Sequence, residues 1–131
     1  MKKIKFALAV AAAAFALGGC ISYHTPPKDR RVTVAPRLSD AVWVTDIRMA
    51  KGPSSNYVLQ ANLVNNTSRV VKLEYCIIWL DSRGLEIPSI VSGWQFTSLA
   101  PREVLGLTGV APTEDACDFR LYVQDARPAL R

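Results

Sequence analysis

The chain has 131 residues, 50% of them hydrophobic and 21% charged, with a formal net charge of +5. That length suits one small domain with a modest core. Three of the sixteen basic residues, Lys2, Lys3 and Lys5, stand in the first five positions, and without residues 1–19 the balance is 13 basic to 11 acidic residues. Those that remain are scattered rather than clustered, so no nucleic-acid partner is expected.

The first element in chain order is apolar. Phe6 to Leu17 is twelve residues without a polar side chain, directly after the three lysines. A basic start and an apolar run of this length read as a signal peptide. A bilayer-spanning helix needs roughly 20 apolar residues. The run ends Leu17-Gly18-Gly19-Cys20, which resembles the lipobox of bacterial lipoproteins. The residue types fit that chemistry. Gly18 and Gly19 leave the backbone open to the signal peptidase, with Leu17 completing its recognition site. The Cys20 thiol takes a diacylglycerol, and the amine freed by cleavage takes a further acyl chain. Several acyl chains, at about 0.8 kcal/mol per buried CH₂, hold a protein firmly on a membrane. By the same resemblance Ile21, rather than Asp, after the cysteine points to the outer membrane, periplasmic face.

Residues 20–39 read as the lipidated cysteine and a flexible tether. Pro26, Pro27 and Pro36 and the run Lys28-Asp29-Arg30-Arg31 oppose a helix and offer little to bury. Val32-Thr33-Val34 is the one stretch there that could add a short strand. His24, the sole histidine, falls in this tether. Without fixed neighbours it supports neither His-based nucleophilic catalysis nor a zinc site.

Residues 40–126 read as a domain of strands. Ala41 to Met49 is rich in β-branched and aromatic residues, and KGPSSN after it is a loop. Tyr57 to Val64 alternates, with Tyr57, Leu59, Ala61 and Leu63 on one face. Asn65-Asn66-Thr67-Ser68 is a turn. Val70 to Leu80 places Val71, Leu73, Tyr75, Ile77 and Trp79 on one face and Lys72 and Glu74 on the other. Asp81 to Gly84 is a tight turn in which Gly84 takes positive φ, and Leu85 to Ile87 is a short return. Trp94 to Thr97, Val104 to Val110 and Asp118 to Val123 complete the set, before a tail over residues 127–131. No stretch after the signal peptide has a helical apolar period. The expected fold is all-β, an immunoglobulin-like β-sandwich of about seven short antiparallel strands.

Leu63-Val64-Asn65, Tyr75, the stretch WLDSRGLE from Trp79 to Glu86, and RLYV from Arg120 to Val123 resemble the YcfL-like family of predicted periplasmic lipoproteins. The resemblance covers about half of the chain after Cys20. It implies an immunoglobulin-like sandwich on a lipid anchor, and it transfers no catalytic residues.

Candidate sites are few. The oxidising compartment allows a Cys76–Cys117 disulfide, but Cys76 has the opposite strand parity from Tyr75 and Ile77. A bridge and two separate thiols are left as equal alternatives. Asp81 and Glu86 flank one turn, where such an Asp usually accepts backbone N–H groups. Glu114, Asp115 and Asp118 lack the supporting ligands of a calcium site. Neither a metal nor a cofactor is expected. Trp94 and Phe96 are the candidate partner-binding residues, on an edge strand; a Trp covering the sandwich edge is the plainer alternative. The function expected is therefore a non-enzymatic, outer-membrane-anchored lipoprotein that binds an envelope protein. A structural subunit of an envelope or secretion assembly is the first alternative. A small-ligand binder or hydrolase is the second.

Overall fold

Alternating apolar residues dictate two sheets that bury one face each. The structure, a computed structural model, describes residues 28–126. Seven strands run in chain order: β1 Val32–Val34, β2 Val42–Lys51, β3 Tyr57–Asn65, β4 Val71–Leu80, β5 Gln95–Leu99, β6 Val104–Val110 and β7 Asp118–Asp125. One sheet has the order β1-β7-β4-β5 and the other β2-β3-β6. Among the described residues there is no α-helix; a single 3₁₀ turn, Ile90–Ser92, precedes β5.

The core lies between the sheets. Leu59, Ala61 and Leu63 of β3 face Leu73, Ile77 and Trp79 of β4 and Phe119, Leu121 and Val123 of β7, all buried. These are the inward positions that strand alternation assigns. Trp79 and Phe119 are cross-strand partners whose rings meet edge to face, 6.2 Å between centroids. Such a pair adds about 0.5–1.5 kcal/mol beyond the area it buries. Gly84 takes the expected positive φ, 79°.

The sandwich is immunoglobulin-like, with one strand exchanged. Strands β2, β3 and β6 hold the places of A, B and E, and β4 and β7 the places of C and F, with β5 beside C. The place of G, beside F, is filled from the N-terminal side by β1. It runs parallel to β7, with Val32, Thr33 and Val34 opposite Leu121, Tyr122 and Val123, whereas every other strand pair is antiparallel.

This corrects the tether, which was expected to reach Ser39. Residues from Asp29 on already belong to the folded part. Leu121 N–H donates to Arg31 O at 2.8 Å and Ala35 N–H to Val123 O at 2.8 Å. Leu38 is buried in the core. Val32-Thr33-Val34, the stretch that could add a short strand, does so, and its stability comes from pairing with β7. Arg31 reinforces the entry. Its guanidinium bonds Asp29 at 2.7 Å and lies 4.6 Å over the Phe119 ring. That Arg31 hydrogen bond holds the Asp29 carboxyl below its ordinary value against the opposing effect of burial.

Candidate functional site

The stacking of the layers decides which edges are open. A cleft of about 340 Å³ between Val32–Val34 of β1 and Val42, Trp43, Val44 and Ile47 of β2 puts those two strands face to face. At the other side a Cβ on Gly109 of β6 would come 2.6 Å from Ile77 Cδ1 of β4, so β6 faces β4. Four strands over three leave β5 with no strand beneath it. Side-chain exposure agrees. Gln95 and Thr97 share the inward parity of buried Leu99, yet Gln95 is exposed and Thr97 half-buried. The Tyr75 hydroxyl, also on the inward face, donates to Gln95 Oε1 at 3.0 Å there.

The two sides of the sandwich treat their edges differently. On the first side β1 is three residues long and stands between the Asp29–Arg31 pair and Pro36. Strand β2 carries a bulge between Thr45 and Arg48, with Asp46 at φ 52°, and the charges Asp46, Arg48 and Lys51. Short length, a bulge and charge are the usual protections of an edge. On the second side β5, QFTSL, and β6, VLGLTGV, have no charge, no proline and no bulge. Five large apolar residues are exposed on these strands or just before β5: Ile90, Trp94 at 44%, Phe96 at 64%, Val104 at 57% and Val110 at 50%.

The outward backbone of β6 follows from its pairing. Asn65 N–H donates to Glu103 O and Ala111 N–H to Tyr57 O. With the register Leu63↔Leu105 to Leu59↔Gly109, odd-numbered residues of β6 bond to β3. The N–H and C=O groups of Val104, Gly106, Thr108 and Val110 therefore point away from the sheet, as a row that could receive a further strand.

Trp94 follows the 3₁₀ turn and Gly93 and leads into β5, while Phe96 lies on the outer face opposite Glu74. Leu17, Gly18, Gly19, Cys20 and His24 lie outside the described residues.

Cys76 and Cys117 are not bridged; both are thiols. Cys76 pairs with Tyr122 in mid-strand, whereas Cys117 precedes Asp118, which pairs with Leu80. At ~3.3 Å per residue the two lie roughly 13 Å or more apart along β4, and a disulfide needs Cα atoms about 4.4–6.8 Å apart. Cys76 is buried beneath the 3₁₀ turn, and its Sγ donates to Ser92 O at 3.0 Å. Burial, and then the charge of Glu86, push its thiol pKa up. Cys117 is exposed. Since the thiolate is the reactive form, a thiol reagent is expected to modify Cys117 quickly in the native protein and Cys76 only on unfolding. An acylated Cys20 has no thiol to titrate. If Cys20 is acylated, the unfolded chain should show two reactive thiols out of three cysteines, and a third would contradict acylation.

The acidic candidates are structural. Asp81 accepts N–H groups of Arg83 and Leu85 at 2.9 and 3.0 Å, and its bond to the Arg83 side chain lowers its pKa. Glu114 and Asp115 are exposed, and Asp118 accepts from Phe119 N–H and pairs with Arg120. Among the described residues no three His, Cys, Asp or Glu side chains are placed to hold a metal ion.

One important residue was hidden in a turn. Asn65 is completely buried. Its Nδ2 donates to Arg69 O at 2.7 Å, Ala100 O at 3.0 Å and Leu99 O at 3.3 Å. Its Oδ1 accepts Thr67 N–H at 2.9 Å and the Thr67 hydroxyl at 2.7 Å. The side chain ties the β3–β4 turn to the turn that joins β5 to β6, and so sets where both open edges begin.

The two-layer sandwich thus has one protected side and one bare side, and the fold by itself assigns no activity. The family described as a protein of unknown function, DUF1425, matches residues 29–125, and the chain belongs to it. Two solved structures are similar in fold. A DUF1425 family member from Shewanella sp. pv-4 shares 18% identity at a TM-score of 0.60, over 66% of this chain and 80% of that one. The Campylobacter jejuni protein cj0090 shares 17% identity at a TM-score of 0.61, over 75% of this chain and 100% of that one. No curated protein matches.

Proposed function

We propose that the protein is a lipoprotein of the YcfL-like type, anchored through Cys20 to the outer membrane and facing the periplasm, which acts without catalysis by binding protein through its β5–β6 side. The observation that carries the binding half is the contrast between the edges. Strands β1 and β2 bear the length, bulge and charge that prevent strand addition, and β5 and β6 bear none of them. Trp94 and Phe96 would be the anchoring side chains, large and partly exposed beside an open edge. The anchor half rests on the basic start, the apolar run and Leu17-Gly18-Gly19-Cys20. Residues 20–28 separate the proposed anchor from the described domain, which β1 enters at Val32. At ~3.3 Å per residue this stretch keeps the domain within about 30 Å of the membrane. The partner must therefore be held close to the outer membrane or reach it. Fatty-acid labelling of Cys20 tests the anchor, and crosslinking in cells from Phe96 tests the surface.

A further inference from the structure

The shape of the open side selects its occupant. Resting on the reading that this side binds protein, we infer that the β5–β6 side receives the same side of a second copy of this chain, forming a symmetric dimer. Strand β5 overhangs by one position, and beside β6 there is a matching recess beneath it. A twofold axis parallel to the strands exchanges the two layers. It slides the overhanging β5 of each copy into the recess of the other, next to the other copy's β6.

Strand direction fits this operation. Strands β5 and β6 are joined by the Ala100–Glu103 turn, closed by Glu103 N–H on Ala100 O at 3.0 Å, and run in opposite directions. Rotation about an axis along the strands leaves direction unchanged. Each β5 thus meets its neighbour's β6 antiparallel, the stronger of the two pairings. The outward backbone groups of Val104, Gly106, Thr108 and Val110 gain a partner strand, and both sheets become seven strands wide. Pairing β6 directly with a second β6 would instead drive the two overhanging β5 strands into each other.

Charge and area fit as well. Neither edge carries a charged residue between Gln95 and Leu99 or between Val104 and Val110, so no like charges meet. The contact is isologous and closed, which gives a dimer and not a fibre. Two strand pairings in two layers, with Trp94, Phe96, Val104 and Val110 among them, bury about 600–800 Å² per copy, near the size of a standard specific interface.

The test co-expresses two full-length copies with different tags and captures one from a detergent extract. The second copy is expected to come with it. Val104→Lys in both copies, at a position on the outer face of β6 and 57% exposed in the single chain, should cut co-capture by about tenfold, because each lysine replaces an apolar cross-strand contact with β5 of the other copy and a lysine opposes pairing at an edge. Val110→Lys is the second variant should the first disturb folding. Absence of co-capture, or co-capture indifferent to both lysines, overturns the dimer. If, in addition, a different protein crosslinks to Phe96, the binding reading survives with another occupant. If nothing crosslinks there, both readings fall.

Discussion

Replacing Asn65 by alanine is expected to destabilise the domain by about 3 kcal/mol or more, one of the largest effects of any polar substitution in it. The change removes the side-chain partner of the carbonyls of Arg69, Leu99 and Ala100 and of the N–H of Thr67, around a side chain that is itself completely buried. Each such loss costs about 1–3 kcal/mol when no substitute partner arrives. Asn65→Asp should be no rescue, since a carboxylate oxygen would then face three carbonyl oxygens. Asn66, whose Oδ1 meets only the Arg102 side chain at 3.1 Å, is the control. Its alanine variant should lose less than about 1 kcal/mol. Urea unfolding checks all three. A lower midpoint at unchanged slope is the expected result for Asn65→Ala, and a midpoint equal to that of Asn66→Ala would contradict the role assigned to Asn65. Because Asn65 fixes the turn into β6, this variant should also weaken whatever the open side binds.

Cys20→Ala is expected to abolish fatty-acid labelling completely and to remove the chain from the outer-membrane density fraction. In the proposed lipoprotein no neighbouring residue could substitute, because the thioether, the cleavage and the final acylation would all occur at this one cysteine. In the proposed lipoprotein, several chains at about 0.8 kcal/mol per buried CH₂ would make the attachment effectively permanent, whereas one chain alone gives only marginal binding. The variant keeps Phe6–Leu17, so association with the inner membrane through an uncleaved signal segment is compatible with the account. Persistent labelling is not. Urea unfolding of the domain described from Asp29 on should be unchanged.

The strands were legible where alternation was long. Tyr57–Asn65 and Val71–Leu80 announce their buried faces through Leu59, Ala61, Leu63, Leu73, Ile77 and Trp79, and the structure buries all of them. Turn chemistry was equally direct at Asp81-Ser82-Arg83-Gly84. What could not be read was everything that depends on a distant partner. Val32–Val34 is a candidate strand by its own residues, but its partner β7 and its parallel sense follow from the fold. Asn65 looks the same in a sequence whether its amide meets water or three carbonyls. The separation of Cys76 and Cys117 became evident only with the register of β4 and β7. The exposure of Gln95 and Thr97 likewise depends on the missing strand beneath β5. An apolar residue on an edge carries no mark in sequence that distinguishes it from one in a core.

The most direct test of the account is a comparison of two crosslinking positions in living cells. A photoreactive residue replaces Phe96 on the open side or Arg48 on the charged, bulged edge of β2. The full-length, lipidated chain is irradiated and its products identified by mass spectrometry. The account predicts a discrete protein product from position 96 and none above background from position 48. A product from position 48 with none from position 96 would contradict it, and would place the binding surface on the edge that bulge and charge were taken to protect.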